Sequence, residues 1–454
     1  MTTTAVHPTG AEHSFDADEI FFSTTDSRGV ITQVNSVFVR LSHYPRAELV
    51  GAPHNLIRHP DMPGGAFKLV WDTLTAGAPV CAYTKNLAAS GSAYWVFATI
   101  VPLGEDFLSV RSKPMRDDLR SAVDAMYVEA RAVERAARAE EGLSAAAAAE
   151  RGLGVLARRV QEAGFDTYQA FMEYALPAEV LAREEAGSGY PVRPEATGEL
   201  AQVLATATAL DKEMDTLVGW LDAYRDQADV LSAAVARTEE ITEELQTSVQ
   251  TAERAAEQVG AELPVFANTT RMINKQAVTA ADELLGLAGG LGTVSQAVSV
   301  LRFQIALAKL QNDQLGAFLV ELIDEVPDHE AARPALAPLS VAVANGVIAA
   351  ETAMTEVQRQ TDELQTKVAS TREALRLAQS LMSTWRMLVT RYRVTGQLSD
   401  LLPQVEEQVR AGAAALGELD DLARNLGETT LTHDADRMRH VVRALVEQTQ
   451  RLSG

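Results

Sequence analysis

The chain has 454 residues, 47% hydrophobic and 22% charged, with a formal net charge of −22. That excess of carboxylates excludes non-specific nucleic-acid binding and docking on an anionic membrane surface, both of which rely on lysine and arginine. One cysteine, Cys81, excludes an internal disulfide and a cysteine-rich metal site. The first residues lack a basic stretch and an apolar core, so no signal peptide is read. No unbroken apolar run of about 18 residues occurs. The expectation is a cytoplasmic protein without a membrane span.

Residues 1–14 are expected to be disordered and 15–113 to form an α+β domain. Glu19–Thr25 reads as a strand, Asp26–Gly29 as a turn and Val30–Val34 as a second strand. Asn35-Ser36 opens a short helix with Val37, Phe38 and Leu41 on one face. A further helical piece follows Tyr44-Pro45 and ends at Gly51. Phe67, Val70, Trp71 and Leu74 recur at helical spacing, and Trp71 reads as core because it is in phase with its neighbours. Three strands finish the domain: Val80–Leu87, Ala93–Leu103 and Phe107–Ser112. The order predicts a five-stranded antiparallel sheet with short helices on one face and a pocket between them.

The composition changes at Pro114, after which alanine, leucine and glutamate dominate. Residues 114–190 are expected to be a helical linker, with a flexible joint at Gly187–Gly189 and Pro191–Pro194. Residues 195–454 are expected to be an all-α long-helix bundle or coiled coil. A heptad runs from Leu200 through Val203, Ala207, Leu210, Met214 and Leu217 to Val259. Pro264 is read as its end. Helices follow over Thr269–Glu325 (kinked at Gly286 to Gly292), Leu339–Leu398, Pro403–Leu426 and Thr429–Leu452. The heptad seam needs burial, within one chain or in a homodimer. Arg302, Gln304, Lys309, Gln311, Asn312 and Asp313 read as buried polar contacts between helices in preference to a partner surface.

Three blocks of the first domain carry a resemblance. Phe21–Asp26, Pro53–Pro63 (with Arg58-His59-Pro60-Asp61-Met62-Pro63) and the strand pair Lys85-Asn86 and Tyr94-Trp95-Val96 resemble the PAS domain of aerotaxis receptors, in order and spacing. The resemblance implies non-covalent FAD. It implies cofactor-binding roles for Arg58, His59, Asp61, Asn86, Trp95 and Asn35. The chemistry is compatible: an amide such as Asn86 both donates and accepts, Trp95 offers an apolar surface, and Arg58 can pair with a phosphate or with Asp61.

The same residues have a structural reading. Arg58 and Asp61 would form an ion pair, His59 would cap the next helix, and Trp95 would pack in the sheet. Haem would need His43, His54 or His59, and a lone histidine is more often a hydrogen-bonding group. The reactive cysteine of LOV photosensors has no counterpart in His54–Arg58. Neither a phosphate loop nor a kinase glycine box is found, so an enzyme is not expected. The membrane helices and hairpin tip of aerotaxis receptors are not recognised either. The expected function is therefore a signal-transducing sensor, with chemotaxis components as possible partners, or else a cofactor-free scaffold for protein interaction.

Overall fold

The computed structural model describes residues 6–217, 264–327, 329–392 and 435–453, with isolated positions between 226 and 247 and between 403 and 424. One compact unit comprises Met1–Leu221, Arg302–Glu351 and Asp434–Gly454; the other comprises Asp222–Leu301 and Thr352–His433.

Within the first unit, β1 (Ile20–Thr25), β2 (Ile31–Val34), β3 (Val80–Leu87), β4 (Ala93–Leu103) and β5 (Asp106–Ser112) form the expected sheet, in the order β2-β1-β5-β4-β3. β3 and β4 have the expected bounds. Lys85 pairs with Trp95 and Asn86 with Tyr94. Successive strand residues face opposite sides, so Asn86 and Tyr94 share one face while Lys85 and Trp95 share the other. The helices α1 (Ser36–Ser42), α2 (Arg46–Leu49) and α3 (Gly64–Thr75) belong to the same domain.

Asn35 caps α1 by accepting from the Phe38 amide, as an asparagine at this position does. It also ties α1 to β1, accepting from Phe22 N and donating to Ile20 O, both at 3.3 Å.

The expected disorder of residues 1–14 is corrected for 6–14; residues 1–5 lie outside the described residues. This segment runs along the β3–β4 turn. Thr9 N donates to Gly91 O at 2.8 Å, Ala93 N to Ala11 O at 2.8 Å and His13 N to Ala93 O at 2.9 Å. Gly91 permits the approach: its φ is +83°, and a Cβ there would stand 2.5 Å from His7 O.

Residues 114–190 are not a free linker. The helices α4 (Asp117–Glu140), α5 (Ala145–Glu162) and α6 (Tyr168–Glu185) pack against the sheet domain. Glu134 of α4 accepts from Gly64 N and Gly65 N, each at 2.8 Å, and so occupies the N-terminus of α3. A Cβ on Gly65 would stand 2.3 Å from Leu153 N, and one on Gly152 would stand 2.1 Å from the Glu134 carboxylate. Only glycines allow α3, α4 and α5 to close in this way. On β3, Tyr127 Oη donates to Tyr83 O at 3.0 Å, Tyr168 Oη to Cys81 O at 2.8 Å, and Tyr83 Oη to Glu179 at 2.6 Å. The expected joint is tethered too: Ser188 Oγ donates to Arg183 O at 2.6 Å, and Arg193 pairs with Asp324 at 2.8 Å.

The helical region contributes α7 (residues 199–217), α8 (Pro264–Ile323), α9 (His329–Ala332), α10 (Leu336–Tyr392) and α11 (Ala435–Ser453). Val203, Ala207, Leu210, Met214 and Leu217 are buried, which is the predicted seam. Its continuation from Leu221 to Val259 lies outside the described residues, as does most of the expected Pro403–Leu426 helix. The described part of α8 starts at Pro264, and the expected end of the preceding helix there lies outside the described residues.

Two contacts join α8 to the sheet domain. Glu321 accepts from Asn35 Nδ2 at 2.7 Å, Ser36 N at 3.1 Å and Ser36 Oγ at 2.6 Å, and Phe318 packs edge-on against Phe22. The polar set on α8 is buried except for half-buried Gln304. Lys309 Nζ meets Asp211 at 2.6 Å, Asp215 at 2.9 Å, Asp313 at 3.3 Å and Glu184 at 3.6 Å.

In the second unit, α8 and α10 are linked by Ser370 Oγ donating to Glu283 at 2.9 Å and Lys367 Nζ to Gly286 O at 3.4 Å. The helical segments Ala281–Ile323 and His329–Ala374 are long and apolar enough to cross a membrane by composition. Buried core helices meet the same criterion, and 44% and 50% of their most apolar stretches are buried.

Gly152→Ala is expected to destabilise the first unit by about 1–3 kcal/mol through overpacking, read as a lower urea midpoint. A midpoint equal to that of the parent would refute the glycine requirement. Burial among carboxylates pushes Asp313 up from 3.8 to about 7, despite Lys309. The folded state then holds this proton more tightly than the unfolded chain. Its contribution to stability is full below 3.8 and lost as pH rises through about 7. Asp313→Asn should flatten that slope in melts recorded between those two values.

Candidate functional site

A cavity of about 290 Å³ lies between the sheet and α3. Its helical wall is the face of Phe67, Val70, Trp71 and Leu74. Trp71 is 37% exposed, which corrects its reading as core. The phase was right, but that face borders open space. The sheet supplies Ser23, Ser109, Arg111, Ala82, Thr84 and Asn86, and the loop before α3 adds His54, Asn55 and Arg58.

The inner end is polar. Arg111 is buried, and its guanidinium donates to Ser23 Oγ at 3.1 Å and meets His54 Nε2 at 2.6 Å. It lies over Phe38 at 5.2 Å. Among the described residues no carboxylate pairs with it. Burial pulls it down to about 10, so it stays cationic at neutral pH. Burial, then the Arg111 charge, hold His54 well below its ordinary value. Neutral His54 accepts from Arg111 at Nε2, which places the proton on Nδ1. The buried Asn86 Nδ2, Tyr94 Oη and Ser109 Oγ have no hydrogen-bond partner of normal geometry. Burial pushes the Tyr94 hydroxyl up, so it remains a donor.

Of the residues singled out in the sequence, Arg58 and Asn86 meet at this cavity and are joined by a backbone bridge. Arg58 stacks over Phe67 at 4.1 Å and donates to Met62 O at 2.8 Å, so the alternative Arg58–Asp61 pair is not formed. The other four lie away from the cavity. His59 is buried in the loop, accepting at Nδ1 from Asp61 N at 3.2 Å, and does not cap α3. Asp61 is exposed and pairs with Arg135 of α4 at 3.3 Å. Trp95 is on the opposite sheet face, within cation–π reach of Lys85 and Arg120. Asn35 is consumed by the α1 cap and by Glu321.

Arg111 and its contact with His54 escaped the sequence reading. The available signal was an arginine alternating with Phe107 and Ser109 in a strand. Cys81 faces away from the cavity, and burial pushes its thiol up. Each histidine considered for haem has a hydrogen-bond contact, with Ser90 Oγ at 2.8 Å in the case of His43. Among the described residues no group of three or more potential metal ligands occurs.

The PAS fold family matches residues 31–107. The aerotaxis receptor of Escherichia coli is 37% identical over 131 residues, 28% of this chain and 26% of the receptor. The N-terminal domain is a PAS domain of the aerotaxis-receptor type. The match to that curated relative spans about a quarter of its length. The Rhodobacter sphaeroides LOV protein is 16% identical with a TM-score of 0.21, covering 33% of this chain and 90% of its own. An RsLOV d2 variant is similar at the same identity and TM-score, covering 32% and 88%.

The depressed His54 makes the PAS domain acid-sensitive. Its folded value lies below the unfolded 6.5, so the unfolded chain takes up the proton first. The contribution is present above 6.5 and lost as pH falls below it. His54→Gln keeps an acceptor for Arg111 and should reduce the loss of melting temperature between neutral and mildly acidic pH; a slope equal to that of the parent would contradict this.

Proposed function

We propose that the PAS cavity binds FAD and that the protein is a cytoplasmic redox or oxygen-linked sensor, not an enzyme. The observation that carries this reading is the buried amide of Asn86, whose Nδ2 has no hydrogen-bond partner of normal geometry, at a cavity with an apolar helical wall, in a domain related to an aerotaxis receptor. A planar heteroaromatic ring fits that donor set. The wall of Phe67, Val70, Trp71 and Leu74 suits its faces, and Asn86 suits a polar edge. When bound, flavin supplies a reversible electron-accepting centre.

The chain's own residues do the rest. Arg111, held by Ser23 and His54, favours negative charge at the inner end of the cavity. Arg58, Pro60 and Asp61 lie on the loop that α4 grips through Arg131 and Arg135. A change of hydrogen bonding at Arg58 or Asn86 is therefore felt in α4 and biases the packing of the helices beyond it. The output of this reading is a homodimeric helical region that signals to chemotaxis components, as the relationship to the aerotaxis receptor suggests.

The test is an absorption spectrum of the purified full chain, before and after dithionite. Flavin bands that bleach on reduction are expected, and Asn86→Leu should lower FAD affinity roughly tenfold or more. A colourless protein that takes up no FAD on reconstitution would sink the proposal and leave the cofactor-free scaffold.

A further inference from the structure

A second cavity, of about 540 Å³, opens outside the first. The two share Asn55 and Arg58. Its far side comes from helices beyond the PAS domain: Arg131 and Arg138 of α4, and the alanines at the start of α5. Glu134 lines it too, but its oxygens accept from Gly64 N, Gly65 N and Arg131. Its charge is thereby offset, and three arginines leave the groove cationic. Arg131 is anchored, donating to Pro60 O at 3.0 Å. Arg138 is exposed and has no ion-pair partner among the described residues.

The volumes divide a ligand in two. The inner cavity is at the lower end of the roughly 300–1,000 Å³ range of small-molecule sites. It accommodates a ring system but not a whole dinucleotide. The outer groove begins where the inner one ends, at a guanidinium suited to phosphate oxygens.

We infer that the outer groove holds the phosphate-bearing arm of a flavin dinucleotide, with Arg58, Arg131 and Arg138 contacting its phosphates. This rests on the flavin reading above and adds ligand-binding residues from outside the PAS fold. The arm bridges the PAS loop to α4. Occupancy therefore fastens the helices to the sensor domain, which a mononucleotide or a bare ring does not do to the same degree.

The experiment titrates the purified full chain with FAD, FMN and riboflavin, following flavin fluorescence. FAD is expected to bind most tightly and riboflavin most weakly. Arg138→Glu should weaken FAD roughly tenfold or more while leaving riboflavin within about twofold, and Arg138→Lys should keep most of the affinity. Arg138 is exposed, so unchanged melting of the variant checks that its fold is intact. Hydrogen exchange supplies a second readout: FAD, but not riboflavin, should slow exchange in α4 and the start of α5. If FAD binds but Arg138→Glu leaves its affinity unchanged, or if FAD and riboflavin bind equally, this inference falls and the flavin reading stands. If no flavin binds the parent protein, both fall.

Discussion

The Glu134 carboxylate is the contact on which the arrangement of the first unit turns. An anion at the start of a helix satisfies amides that have no partner within the helix and interacts favourably with the helix dipole. Here the anion comes from another helix and is buried; Gly152 removes the side chain that would keep it out, and Gly64 and Gly65 let α5 close beside it. Removing the carboxylate would leave buried amides without partners, which costs about 1–3 kcal/mol for each such group. Around it, Arg131 holds Pro60 and Arg135 holds Asp61. The loop that shapes one side of the PAS cavity is thus fixed from its other side by α4.

This arrangement explains why the Arg58–Pro63 block has two roles. Arg58 turns toward the cavity, while His59 and Asp61 turn toward the loop interior and α4. A sequence match treats the block as one motif, whereas the chain path distributes its side chains over two surfaces. The strands were legible because β3 and β4 are bounded by clear turns. The face of each residue was less so. All six residues of β1 and most of β4 are buried, since helices cover both sides of the sheet, and a strand apolar on both faces shows no alternation. Trp95 was assigned to the pocket by the family resemblance, and a strand buried on both faces offered no pattern against it. The register nevertheless contained the answer: Trp95 pairs with Lys85, so it and Asn86 cannot share a face. The docking of α4 and α5 against α3 was hidden because it depends on absent side chains at three glycines, which in sequence look like ordinary breaks.

In the helical region, polar residues are used inside the packing. Lys309 is enclosed by carboxylates from α6, α7 and its own helix. Asn312 adds a bond to Ala207 O at 3.3 Å. Such a cluster adds little net stability compared with apolar packing, since its desolvation cost is large. It does penalise any sliding of α8 along α7, because a shift would leave charges buried without partners. The seam of Val203, Ala207, Leu210, Met214 and Leu217 supplies the attraction, and the cluster supplies the register.

The bond between Asn35 and Glu321 spans 286 positions of sequence. On a ribosome adding about 5–20 residues per second, roughly 15–60 s pass between the emergence of the two partners. Throughout that interval α1 has only its own asparagine cap, and Phe22 lacks the ring of Phe318 that covers it. The PAS domain leaves the tunnel ahead of the helices but completes its surface late, with an apolar face open to solvent or to a chaperone while they are still being made.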